Sequence, residues 1–142
     1  MAVDEQDFHE FYQRWNTSVY GFCRMFLGAE EPAELATQEA FVQYVREHEP
    51  LTTDKLPRKL FRNAVSESLK LDTPEPRFPD TDELEDLLPL LAPTDRAVFI
   101  LRTTLDISAN DTAAILQLPV ERVNEGWMKA SLYLRDVWLK KK

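Results

Sequence analysis

Apolar side chains return at every third or fourth position through the start of the chain: Phe8, Phe11, Tyr12, Trp15, Val19, Phe22, Cys23 and Phe26. This spacing lines one face of a helix, so an aromatic stripe facing a core is predicted, with Gly28 as its stop. Pro32 suits the first turn of a second helix, which "AELATQEAFVQYVREH" continues. A third helix is predicted to start near "TTDKLPRKLF" and to end near Leu71. Asp54 stands where it could cap that helix, and Pro57 falls inside its first turn.

The second half repeats the helical pattern in shorter pieces. "TDELEDLLPLL", "PTDRAVFILRTTLD" and "SANDTAAILQ" read as helices, and a long amphipathic run follows from residue 120. Ser108, with Asp111 three residues on, resembles a capping box. "SANDTAAILQLPVERV" has the form of a helix-turn-helix, broken at Leu118-Pro119. In the last helix Val123, Trp127, Leu134 and Trp138 share one side and are predicted to face the core. Gly126 should cost this helix about 1 kcal/mol relative to Ala.

No stretch alternates with period two as a half-buried strand would. The predicted fold is therefore all-α, with one helical module over residues 1–71 and a second over residues 82–142. Between them "LDTPEPRFPDTDELED" holds Pro74, Pro76 and Pro79 and cannot stay helical. It reads as a Pro-rich acidic linker at 72–81.

Composition sharpens this picture. Apolar residues make up 44% and aromatic residues 11% of the 142, enough to build a core. The net charge of −8 weighs against nucleic acid, but its distribution matters more. Residues 72–86 hold seven acids against Arg77 alone, whereas residues 87–142 carry 8 basic and 6 acidic groups. The second module is thus weakly basic. With no basic-then-apolar leader and no apolar window of roughly 20 residues, a soluble cytoplasmic protein without a membrane partner is expected. Cys23 has no partner cysteine and reads as a small buried residue. His9 and His48 lack a supporting ligand cluster, and no Gly-rich phosphate loop is present. No catalytic residue, metal or cofactor is expected, and the chain does not read as an enzyme.

One charge cluster stands out. Lys55, Arg58, Lys59 and Arg62 fall at i, i+3, i+4 and i+7, a spacing that would put all four on one helical face. Such a stripe could contact phosphates, with Phe61 and Tyr44 near enough to stack on unpaired bases. The alternative is an ordinary solvated face.

Taken together, "ATQEAF", "FRNAV" and "DRAVFILR…AAILQLPVERV", in that order, resemble the extracytoplasmic-function group of bacterial sigma factors. Proteins of that group join a helical region 2 to a helix-turn-helix region 4 through a linker and direct RNA polymerase to promoters. The resemblance covers nearly the whole chain. It implies that Glu34, Gln38, Glu39 and Phe41 contact core RNA polymerase. It further implies that Lys55, Arg58, Lys59, Arg62 and Asn63 approach the −10 promoter element. Arg122, Asn124, Lys129 and Arg135 would then face the −35 element, and an anti-sigma protein would be the regulator.

The last helix departs from the family pattern, with Glu121 and Glu125 near its start and Gly126 and Ser131 where bases are expected. DNA reading by the second module alone is therefore expected to be weak. Two alternatives stay open. One is a sigma-like mimic that binds an anti-sigma factor or polymerase without reading DNA. The other is a helix-turn-helix regulator unrelated to polymerase.

Overall fold

A computed structural model describes residues 5–72 and 87–140, without the side chains of Trp138 and Lys140. Among the described residues every regular element is helical. Helix α1 (Glu5–Leu27) buries Phe11, Trp15, Val19, Phe22, Cys23 and Phe26, the stripe that the spacing predicts. It stops where Gly28 takes a positive φ of 76°, its N–H donating to Arg24 O at 2.9 Å. Helix α2 (Glu30–Arg46) begins two residues before Pro32, with Glu30 and Glu31 in the first turn where carboxylates suit the helix dipole.

Helix α3 (Arg58–Leu71) starts later than the sequence suggests. Pro57 occupies the cap position, and Asp54 makes no capping bond. The physical reason is Leu56, which precedes a proline and is pushed away from helical backbone angles. Residues 50–57 instead form an irregular strap. Trp15 Nε1 donates to Thr52 O at 2.8 Å, and the Tyr44 hydroxyl donates to Pro50 O at 2.6 Å.

Burial of Tyr44, assisted by the charge of Glu49, pushes its phenol up to about 12. The folded chain thus favours the neutral phenol. That contribution is intact below the ordinary phenol pKa of about 10 and is lost as pH rises through about 12. Alkaline unfolding followed by circular dichroism should lose stability in this window, and Tyr44→Phe should remove that part of the loss.

In the second half, a 3-10 turn (Leu88–Leu90) leads to α4 (Pro93–Phe99), which widens into a π-helical segment (Ile100–Thr104). The single helix predicted for "PTDRAVFILRTTLD" is therefore of two kinds. Ile107 N donates to Leu101 O at 2.9 Å, and Asp106 adopts a positive φ of 54°, so the chain turns sharply into α5 (Ala109–Leu116). Ser108 caps α5 by accepting from Asp111 N at 3.0 Å. Gln117, in left-handed conformation, closes α5, and Leu118 N donates to Ala113 O at 3.0 Å. Helix α6 (Val120–Lys140) follows. The predicted linker at 72–81 lies, apart from Asp72, outside the described residues, as does most of "TDELEDLLPLL".

Helices α1–α3 pack on one another, as do α4–α6. The two groups also meet: α1 touches the 3-10 turn and the π segment, and α3 lies against α5. One buried cluster runs from Phe11 and Phe41 through Leu60 and Leu88 to Leu101 and Leu134. A small separate cluster of Val98, Ala113 and Val123 fills the angle between α4, α5 and α6.

Candidate protein and nucleic-acid interface

The outer face of α2 is set by its register. Ala33, Ala36, Thr37, Ala40, Phe41 and Tyr44 turn inward, which leaves Glu34, Gln38 and Glu39 exposed. Leu35 (48% exposed) and Val42 (41%) stand out with them. Phe41 itself is buried, its ring 4.9 Å from Tyr12 and edge-on to Phe11 at 5.9 Å. It therefore shapes the floor of a groove of about 470 Å³ between α1 and the end of α2. Leu35 and Val42 carry no charge and were not singled out by sequence. Their signal is an apolar residue on the polar side of the helical period.

The basic stripe is not one helical face. Lys55 is exposed in the strap before α3, while the other three cations sit on α3 and point into the protein's own contacts. Arg58 binds Asp111 of α5, with Nε at 2.7 Å and a terminal nitrogen at 2.6 Å. Arg62 donates to Ala114 O of α5 at 2.9 Å. Lys59 pairs with Glu47 at 2.9 Å. By donating to Glu47, Lys59 holds that carboxyl below the usual carboxylate range, with Asn63 adding to the effect against partial desolvation. Asn63 is buried and donates to Glu47 Oε1 at 3.2 Å and to Ala40 O at 3.4 Å. Three of the four cations and Asn63 thus fasten α3 to α2 and α5.

On α6 the core-facing positions are Val123, Gly126, Ala130 and Leu134. This corrects the predicted stripe at Trp127, which is 36% exposed and donates from Nε1 to Thr103 at 2.9 Å. The side chain of Trp138, the other predicted core position, lies outside the described residues. The true stripe runs through small residues because α6 lies close on α4. A Cβ on Gly126 would stand 3.0 Å from Asp95 Oδ1 and 3.2 Å from the Arg122 guanidinium. Arg122 leans toward buried Asp95, 3.6 Å away. Asn124 and Lys129 are exposed, as is Arg135, which lies 3.6 Å from Asp136. Glu121 and Glu125 are exposed as well.

Elsewhere, burial pushes the Cys23 thiol up, with bonds to Ser68 and Thr37 opposing the rise. His9 and His48 are exposed. Among the described residues no three metal-ligating side chains gather, and no helix is long and apolar enough to cross a membrane.

No protein-family model matches the chain, and no curated protein matches it in sequence.

Proposed function

We propose that the chain is a sigma factor of the extracytoplasmic-function type, directing core RNA polymerase to promoters in transcription initiation. The observation that carries this reading is the outer face of α2, where Leu35 and Val42 lie exposed among Glu34, Gln38 and Glu39. Exposed apolar groups ringed by carboxylates suit a protein partner with a basic, partly apolar surface. In support stand the all-helical order of elements and the helix-turn-helix of α5 and α6. The reading requires no catalysis and no cofactor, and an anti-sigma protein covering these surfaces would be its regulator.

The test uses the full chain and purified core polymerase. Reversing charge at Glu34→Arg and Glu39→Arg should weaken binding at least tenfold with the helical circular-dichroism signal unchanged, since both side chains are exposed. Unchanged affinity would remove α2 as the contact.

One observation favours a second reading, a sigma-like mimic that binds protein without reading DNA. Several of the cations expected on promoter DNA are occupied: Arg58 and Arg62 hold α5, Lys59 pairs with Glu47, and Arg122 leans on Asp95. Phosphate contact by these groups requires those internal partners to be given up first.

A further inference from the structure

A cavity of about 250 Å³ opens where α3 meets α4 and the end of α5. On α3, Arg62, Val65, Ser66 and Leu69 fall at i, i+3, i+4 and i+7, so one face of that helix forms a wall. Val65, Ala97 and Ile115 are buried and make an apolar floor. Ser66, Leu69 and Thr94 are exposed around the mouth, so the cavity faces solvent. An apolar interior with a few polar groups is the usual make-up of a small-molecule site.

The charge of this cavity is one-sided. Arg62 is the single ionisable side chain among the described residues that line it. One terminal nitrogen of Arg62 donates to Ala114 O at 2.9 Å, while its Nε is buried and has no acceptor among the described residues. A buried guanidinium N–H without an acceptor is costly, and an anion entering from solvent would relieve it. A wholly apolar ligand would leave that donor as it is.

We propose that this cavity binds a small carboxylate with an apolar tail. The tail lies on Val65, Ala97 and Ile115, and the carboxylate accepts from Arg62 Nε. Such a ligand touches both helix groups at once, α3 from the first and α4 and α5 from the second. It therefore stabilises the folded chain by mass action. The inference does not rest on the proposed function. Under that function, a bound carboxylate would keep Arg62 on α5 and away from DNA.

Hexanoate, with hexanol as its uncharged counterpart, tests this on the full isotope-labelled chain by two-dimensional NMR. Hexanoate should bind with a dissociation constant on the order of 1 mM, an ordinary affinity for so small a ligand. Amide shifts should gather at Val65, Ser66, Ala97 and Ile115, and the Arg62 Nε–H resonance should move with them. Hexanol should bind about tenfold more weakly, the loss of one charge-assisted bond. Arg62→Gln should cancel that preference. Ser66→Phe fills the cavity from an exposed position, so circular dichroism should be unchanged and both ligands should fail to bind. The proposal is overturned if hexanoate at roughly ten times that concentration moves no resonance, or moves resonances scattered over the surface. Equal affinity of the wild-type chain for hexanoate and hexanol overturns it too. So does a carboxylate preference that survives Arg62→Gln, or binding that survives Ser66→Phe.

Discussion

Replacing Arg96 by Met should lower the unfolding free energy by about 3–5 kcal/mol, the usual cost of breaking a buried ion pair from one side. Arg96 is 7% exposed and pairs with Asp72 at 2.9 Å, directly after α3. It also donates to Phe26 O, at the end of α1, and to Leu91 O, each at 3.2 Å. Its guanidinium lies 4.6 Å from the centre of the Phe26 ring. One α4 side chain therefore satisfies a terminal carbonyl of α1 and a carboxylate at the end of α3. Met keeps the volume and the contact with Phe26 but leaves these acceptors without their donor. Urea unfolding followed by circular dichroism should show the loss. Because Arg96 ties the two helix groups together, the transition should also broaden. A variant as stable as wild type would mean that water replaces the guanidinium at no cost.

The second large effect is expected at Gly126, where Leu should cost roughly 1–3 kcal/mol, the range for overpacking. A Cβ there meets Asp95 Oδ1 at 3.0 Å, and Asp95 is buried with little room to retreat. The longer side chain would force α6 off α4. Gly126→Ala is the control. It gains about 1 kcal/mol of helix propensity and loses a comparable amount to crowding, so its stability should stay near that of wild type. Thermal unfolding of the two variants separates the cases. Equal stability of Leu and wild type would contradict the close helix approach.

These two residues also mark what the sequence could and could not tell. The aromatic stripe of α1 was legible because its period is local and its side chains are large. So were the Ser108 cap and the break at Leu118-Pro119, which depend on neighbours a few residues away. The partners of Arg58 and Arg62 were not, since Asp111 and Ala114 lie 53 and 52 positions away. Nothing in the local pattern distinguishes such a cation from a solvated one. The α6 stripe is hidden in the sequence for a related reason. Size alone points to Trp127 as core, whereas close packing on α4 selects Gly126 and Ala130. Lys55 fits the period of α3, but Pro57 caps the helix and starts it later.

For the candidate interface, the identity of Glu34, Gln38 and Glu39 as surface groups followed from the period of α2. The exposure of Leu35 and Val42, which gives that surface its character, required the packed structure. The proposed function is that of a chain meeting a protein partner through α2, with Arg58 and Arg62 reaching DNA only on release from α5.

Transcription in vitro separates a sigma factor from a mimic. Core polymerase is incubated with the full chain and a library of promoter fragments, and initiated transcripts are sequenced. A sigma factor should yield transcripts that begin at a restricted set of promoters, depend on the added chain, and diminish with Glu34→Arg and Glu39→Arg. Polymerase binding without promoter-selective transcripts would contradict the sigma-factor reading and leave the mimic.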